Sequence, residues 1–359
     1  MHSYDVLGMM SGTSLDGLDL AHCQLRYQDG QWSFTIKKTA DVSYSKHWKS
    51  LLKDAIHLSD KEHATLHLEY GKWLGEQAFE FLKKNDIAVD FIASHGHTSH
   101  HRPEEGFTFQ LGDGQQMANS SGQKVICDFR TMDVGLGGQG APLVPIGDEL
   151  LFGKYDFCLN LGGISNISFK RDGHRIAYDI GMANMPLNHI VRQLGMEYDE
   201  NGNLAKEGQL DLRLLKNLND LEYYKLPYPK STGYEWFLGK VRPILEASEV
   251  RPQDILHTLI HHNCVQIATA VNKNSTKPNN ALMVCGGGAL NTFFMEVLKE
   301  KLGKSCELVI PNKELISYKE ALVFALMGVL RERAEINILK SVTGASKNSS
   351  SGVIFHPTH

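Results

Sequence analysis

The sequence predicts an α/β protein made of two duplicated domains with an interdomain cleft, and three observations carry that prediction. An order of three strands, helix and buried strand is written twice along the chain. In each copy a polar turn rich in Gly, Ser, Thr or Asn joins the first two strands, and the next hairpin turn ends in Asp-Gly. Length agrees, since 359 residues at a prior of roughly 150 per domain make about two domains, each able to bury its own core.

In the first copy, residues 4–10 read as a short apolar strand, GTSLDG as a turn and residues 18–27 as an alternating strand. Gln28-Asp29-Gly30 supplies a hairpin turn into a third strand at 32–39. Helical periodicity follows near 45–57 and 62–85, then a buried strand at 91–94. After Pro145 the order begins again with a strand at 157–161, the turn GGISN, a strand at 164–170, the turn Arg171-Asp172-Gly173 and a strand at 175–179. A helix from about Asn184 and helices near 231–249 and 252–275 lead to a buried strand at 281–285, then GGGALN and another helix. The expected domains are 1–145, rejoined by the segment 336–359, and 146–335.

Composition narrows the function. Apolar residues at 42% and charged residues at 22% are ordinary for a globular protein. With a net charge of -4 and no basic run longer than the pairs Lys37-Lys38 and Lys83-Lys84, no nucleic-acid partner is expected. Six cysteines stand singly with no CxxC pair and read as reduced, buried thiols. No apolar stretch approaches ~18 residues and the start MHSYDVLGMMSGTS has no leader pattern, so a cytoplasmic protein without membrane contact is expected. A homodimer is compatible with the sequence, which gives no signal for or against it.

The polar turns carry the chemistry. A duplication sets the two strand-one turns opposite each other across a cleft, and turns rich in Gly, Ser and Thr can present several backbone N–H groups to one anion. A glycine run before a helix, GGG at 286–288, can lie against a base and ribose without side-chain obstruction. Together they suit a polyphosphate nucleotide.

The segments MSGTSLDGLD, SHGHTSHHRPEEGFTFQLGD, CDFRTMDVGLGGQGAPLVP, LNLGGISNIS, KSTGYEWF, VCGGGALN and SVTGAS closely resemble the motif set of the anhydro-N-acetylmuramic acid kinases, from about residue 8 to residue 346. The resemblance implies the actin and sugar-kinase fold, two ribonuclease-H-like domains around a cleft. It also implies an enzyme using ATP and Mg2+ on a small-molecule sugar, which opens the internal 1,6-anhydro bond with water and phosphorylates the freed O6. The product would be N-acetylmuramic acid 6-phosphate, in peptidoglycan recycling. Two alternatives stand beside it: a kinase of another anhydro-sugar such as levoglucosan, and a nucleotide-dependent switch protein on the same fold.

Site residues follow from the same match. Asp179, in AYDIGMAN, matches the Asp of the family's DTGPGN and is the expected catalytic base for water; the alternative is a cap for the helix near Asn184. Gly12, Thr13, Ser14, Asp16, Gly17 and Asp19 are expected to clamp phosphate, with Asp16 or Asp19 near magnesium or its waters, or else to form an ordinary hairpin turn. Gly162, Gly163, Gly286, Gly287, Gly288 and Asn291 are expected at the nucleotide, Asn291 doubling as a helix cap. The imidazole-dense stretch His95, His97, His100, His101 and Arg102 admits a metal reading, but the resemblance places it at sugar and phosphate, with His95, His97 and Arg102 as substrate contacts. Arg130 and Asp133 match substrate-pocket positions or form a structural pair. Glu320 is expected at a helix start, reaching the sugar or serving the helix dipole. The family's DTGPGN and PPKSTGRE read here as DIGMAN and PYPKSTGYE, placing Ile180, Met182, Ala183 and Tyr234 at the altered positions.

Overall fold

A computed structural model of the chain describes residues 2–12 and 15–358. Contacts divide it into two compact units, one running to Phe152 and resuming at Tyr318, the other Gly153–Ser317.

The first unit opens with an antiparallel meander of β1 (His2–Ser11), β2 (Gly17–Gln28) and β3 (Gln31–Ser43). Its two-residue β2–β3 loop is Asp29-Gly30, both at positive φ (52° and 81°), which is the backbone a tight hairpin matched to strand twist requires. Helix α1 (Lys46–Asp54) starts where the Ser45 hydroxyl accepts from Trp48 N, and α2 (Asp60–Lys84) where Ser59 and Glu62 form a capping box. Strand β4 (Phe91–Ser94) then pairs parallel to β1. Next come a separate hairpin of β5 (His97–Arg102) and β6 (Phe107–Leu111), then α3 (Gly114–Ser121), β7 (Val125–Cys127) parallel to β4, and short helices α4 (Thr131–Gly135) and α5 (Pro145–Leu150).

The second unit repeats the plan. Strands β8 (Phe157–Leu161), β9 (Ile164–Arg171) and β10 (His174–Met182) form its meander, again through a positive-φ pair, Asp172-Gly173. Helices α6 (Asn184–Gln193), α7 (Asn203–Lys206), α8 (Leu212–Asn219), α9 (Tyr234–Trp236), α10 (Arg242–Glu246) and α11 (Pro252–Asn274) follow. Then β11 (Asn280–Cys285) pairs parallel to β8, α12 (Thr292–Leu302) crosses over, and β12 (Cys306–Val309) pairs parallel to β11. Helix α13 (Lys313–Glu332) begins in this unit and ends in the first, where α14 (Lys340–Thr343) and β13 (Val353–Phe355) complete the chain.

The sheet orders are β3-β2-β1-β4-β7-β13 and β10-β9-β8-β11-β12. Strand for strand, three antiparallel strands continue into two parallel ones, so both units are ribonuclease-H-like and the duplication expected from sequence is real. Each unit has a core of its own: Leu7, Met9, Leu20, Tyr70, Leu74 and Ile92 in the first, Phe157, Leu159, Ile167, Phe169, Val284 and Phe294 in the second. All six cysteines are buried and none is in a disulfide. No helix among the described residues is long and apolar enough to cross a membrane.

Several elements differ from the sequence reading for identifiable reasons. Strands β5 to β7 and β12 are three to six residues long, too short to display a period. The helix expected at 231–249 starts only at Tyr234 and is interrupted by a π turn at Phe237–Val241, just before Pro243, whose missing N–H breaks regular helical bonding. Re-entry into the first unit comes at Tyr318 rather than 336. The reason is packing: Ala321–Leu330 lie inside the first unit, and Gly8 of β1 comes so near the helix that a Cβ there would sit 2.0 Å from the Ala321 carbonyl oxygen.

Candidate active site

In parallel α/β sheets, ligands bind beyond the carboxyl ends of the strands. In the first unit these are the ends of β1, β4 and β7, which lead into Gly12, His95 and Arg130.

After β1, Leu15 N donates to the Gly12 carbonyl at 3.3 Å and Leu15 stands at φ 60°. Thr13 and Ser14 of the expected phosphate clamp lie outside the described residues. Asp16 is exposed on this turn. Gly17 is already in β2, and its role there is contact: a Cβ would lie 2.8 Å from the Val42 carbonyl oxygen of β3. Asp19 faces Asp41 across the β2–β3 ladder. Burial first, then Asp41, Glu320 and Asp16, push its carboxyl up to about 7. Asp41, which the sequence reading missed, accepts from Tyr318 Oη at 2.8 Å.

His95 and Arg130 form one unit. Arg130 Nε and Nη2 both donate to His95 Nε2 (3.1 and 2.8 Å), Nη1 donates to the Gly140 carbonyl (2.6 Å), and His95 Nδ1 donates to the Gly96 carbonyl (2.9 Å). Burial and the adjacent guanidinium hold the His95 imidazole down near 3, so it is neutral. Both of its nitrogens are occupied, which corrects the expectation of His95 as a direct substrate contact: it acts through Arg130.

Asp133 is corrected likewise. It is fully buried, with Oδ2 accepting from Gly140 N (2.8 Å) and Oδ1 from the Thr343 hydroxyl (2.8 Å). It shapes the glycine loop and makes no pair with Arg130. His97 opens β5, 3% exposed, its Nδ1 3.1 Å from Ser11 Oγ, which accepts from the hydroxyls of Tyr44 (2.7 Å) and Tyr70 (3.0 Å). Burial lowers its pKa to about 4.

Arg102 stands five residues along β5, about 16 Å from His97 at strand rise. It is half exposed and paired with Glu105 at 3.0 Å, so it does not join His95 and His97. Among the described residues no group of three or more His, Cys, Asp or Glu could hold a metal ion, and the imidazole stretch is no exception. Glu320 lies two turns inside α13, not at its start, so the helix-dipole reading falls. Burial raises its pKa against the pull of Lys319 and Arg130.

In the second unit the ends of β8 and β11 present glycines. A Cβ on Gly162 or Gly163 would make only ordinary contacts, none closer than 3.6 Å, and nothing lies within 4 Å of one on Gly287. Gly286 (φ 80°) and Gly288 are structural, since a Cβ would meet Asn160 Oδ1 at 2.6 Å and Leu161 Cβ at 2.7 Å. Asn291 caps α12 by accepting from Phe294 N at 2.9 Å.

Asp179 sits inside β10, beside a bulge between residues 179 and 181. Its Oδ2 accepts from the Ser231 hydroxyl (2.9 Å) and Thr232 N (3.1 Å), while its backbone N–H donates to the Lys230 carbonyl. Tyr223 Oη donates to its main-chain oxygen at 2.8 Å. Helix α6 is capped at Ala183 with no side-chain bond, so the helix-cap reading of Asp179 falls. Burial raises its pKa, opposed by Thr232 N–H, the Ser231 hydroxyl and Lys230. The Lys230–Thr232 strap was visible only as the motif KSTGYEWF, without a role. The altered residues Ile180, Met182 and Ala183 are buried in the core of this unit and Tyr234 is exposed. A cavity of about 1100 Å³, lined by Leu214, Tyr223, Trp236 and Ile244 among others, includes the Tyr223 that donates to the Asp179 main chain and does not include Asp179 itself.

Comparison with known proteins shows the family. The family model for anhydro-N-acetylmuramic acid kinase matches residues 4–357. Relatives described by that same name come from Aliivibrio fischeri (35% identical, covering 97% of this chain and 98% of the relative), Haemophilus influenzae (34%, 97% of each) and Gloeobacter violaceus (33%, 98% of each). Matches of this length leave almost none of the chain outside the likeness, and none of the three names supports either alternative reading. The chain belongs to the anhydro-N-acetylmuramic acid kinase family.

Proposed function

We propose that this enzyme opens the 1,6-anhydro bond of anhydro-N-acetylmuramic acid with water and phosphorylates the freed O6 at the expense of ATP, giving N-acetylmuramic acid 6-phosphate. The observation that carries the reading is Asp179. One carboxylate oxygen is tied by two donors on the 230–232 strap, and the other has no partner among the described residues. A carboxylate so oriented, with its basicity raised by burial, suits a general base. In the proposed step Asp179 takes a proton from water as the water oxygen bonds to the anomeric carbon. The C1–O6 bond breaks with its electron pair going to O6, which becomes the phosphoryl acceptor.

The residues present fit the nucleotide and the metal. A Cβ on Gly287 would stand in open space, and one on Gly162 or Gly163 would meet nothing closer than 3.6 Å, so the backbone here offers a surface that phosphate or ribose can approach. Asp19 faces Asp41 across the β2–β3 ladder, and burial first, then Asp41, Glu320 and Asp16, raises the pKa of Asp19. Magnesium needs only one or two carboxylates beside waters and phosphate oxygens, so Asp16 and Asp19 would hold it, directly or through water. When bound, ATP supplies the phosphoryl group and magnesium a counter-charge to it. Arg130 and Glu320 would face the sugar, with His97 beside them.

The test is product mass spectrometry with anhydro-N-acetylmuramic acid, ATP and magnesium in oxygen-18 water. One heavy oxygen at the anomeric position and one phosphate at O6 are expected; unlabelled phosphosugar or sugar-independent ATP hydrolysis would refute the reading. Gly163→Val checks the nucleotide side. Gly163 is exposed and not at positive φ, so the variant should fold normally while its KM for ATP rises roughly tenfold or more, a loss of about 1.4 kcal/mol of binding. An unchanged KM would move the phosphates away from this turn.

A further inference from the structure

Arg130 is held in an unusual way for a half-buried arginine. Its three hydrogen bonds all go to neutral acceptors, two to His95 Nε2 and one to the Gly140 carbonyl. No carboxylate among the described residues lies within ion-pair distance; Asp128, the nearest in sequence, accepts from Thr131 N, and Asp133 gives its oxygens to Gly140 N and Thr343. Guanidinium can only donate, so His95 Nε2 must be the unprotonated nitrogen, and Nδ1 carries the proton donated to the Gly96 carbonyl. His95 is itself 5% exposed and packed 4.7 Å from the Phe324 ring. Two of the five guanidinium N–H donors have no acceptor among the described residues. The result is a fork fixed in orientation with its charge uncancelled by contact, which is costly unless a ligand supplies the anion.

We propose that His95 is a positioning residue that clamps Arg130 as a neutral acceptor, so that the guanidinium takes an anionic oxygen group of a ligand in its two remaining N–H donors. This rests on the sugar-kinase reading above, which offers two sources for such a group: the lactyl carboxylate of the sugar and a phosphate of ATP. A carboxylate at position 95 would orient the fork equally well but cancel its charge. A neutral imidazole orients without cancelling. The charged groups that act on the fork from neighbouring elements are Glu320 and Asp133, neither in contact with it. The low basicity that burial and Arg130 impose on His95 keeps it in this state across the working pH range.

The first measurement needs no substrate. Long-range proton–nitrogen NMR of the histidine-labelled full chain, with the His95 signal assigned by its loss in His95→Phe, should show the Nδ1–H tautomer unchanged from pH 5 to 9. An Nε2–H tautomer, or titration near pH 6.5, would overturn the clamp whether or not the enzyme is a sugar kinase. The second is steady-state kinetics of His95→Phe and His95→Gln with anhydro-N-acetylmuramic acid and with anhydro-N-acetylglucosamine, which lacks the lactyl group. Hydrogen bonds to charged groups suggest that His95→Phe raises the KM of the anionic ligand roughly tenfold or more, and that His95→Gln, whose amide oxygen can still accept, recovers most of it. A rise confined to the lactyl sugar assigns the group to its carboxylate. A rise in KM for ATP with both sugars assigns it to phosphate. If His95→Phe does not fold, Arg130→Lys keeps the charge and loses the fork, and should show the same selective rise. Equal KM values for all ligands in a folded variant would overturn the proposal.

Discussion

Asp179→Asn should lower sugar-dependent turnover by about 10²–10⁴, the usual contribution of a general base, while KM for ATP stays near that of the parent enzyme. The amide keeps the shape of the carboxylate and can still accept from Ser231 and Thr232 N through its oxygen, but it cannot take a proton from water at neutral pH. Stability should hold or rise slightly. A carboxyl whose folded pKa is raised, as burial raises that of Asp179, binds its proton more tightly folded than unfolded, so above that pKa the ionised group opposes folding. The neutral amide removes that cost. In the parent enzyme the acid limb of kcat/KM should lie above the ordinary carboxylate range, because activity requires the ionised form and is lost as pH falls through the raised value. Turnover within a few-fold of the parent in a folded variant would remove Asp179 from the mechanism, and an acid limb at the ordinary value would remove the effect of burial on it.

Much of the fold was legible because both units announce themselves through the same short-range chemistry. Asp29-Gly30 and Asp172-Gly173 sit at positive φ in two-residue hairpin loops, and that dipeptide is a strong local signal. The long helices α2 and α11 carry caps or a leading Pro252 at their starts. What stayed hidden were elements whose existence depends on partners distant in sequence. Strand β7 is three residues long and exists because β4 and β13 flank it, and β13 is some 226 residues further on. The site divides the same way. Asp179 stood out by motif, but the strap that orients it comes from residues 230–232, and the Tyr223 hydroxyl that braces its main chain lies 44 residues away. His95 and Asp133 were recognised as site positions and given the wrong task, since only geometry shows that the oxygens of Asp133 are already filled and that His95 faces Arg130. Composition and spacing cannot tell a ligand contact from the residue that holds it.

Lys319→Met should cost up to about 3–5 kcal/mol of stability, the upper range being that of a buried ion pair whose remaining charge is left uncompensated. Lys319 Nζ and Asp148 Oδ1 are 2.6 Å apart with both side chains only 6% exposed, and the ammonium also lies 5.1 Å from the centre of the Phe152 ring. Methionine matches the aliphatic stem, so packing is nearly kept and the loss is electrostatic: the Asp148 carboxylate stays buried without this ammonium beside it. An exposed pair gives the contrast. Lys216 and Asp220 are 75% and 57% exposed, and Lys216→Met should cost no more than about 0.5 kcal/mol. Urea unfolding at unchanged slope reads both differences. Pairing Lys319→Met with Asp148→Asn should recover part of the loss, because the second change removes the buried negative charge that Lys319 faces; a double variant as unstable as the sum of the two singles would show that they are not coupled. The site should register the change as well. Lys319 lowers the pKa of its neighbour Glu320, so its removal leaves burial less opposed and moves that pKa further up. Any step that needs Glu320 ionised should then require higher pH in Lys319→Met than in the parent enzyme, and an unshifted pH profile would separate Glu320 from the rate.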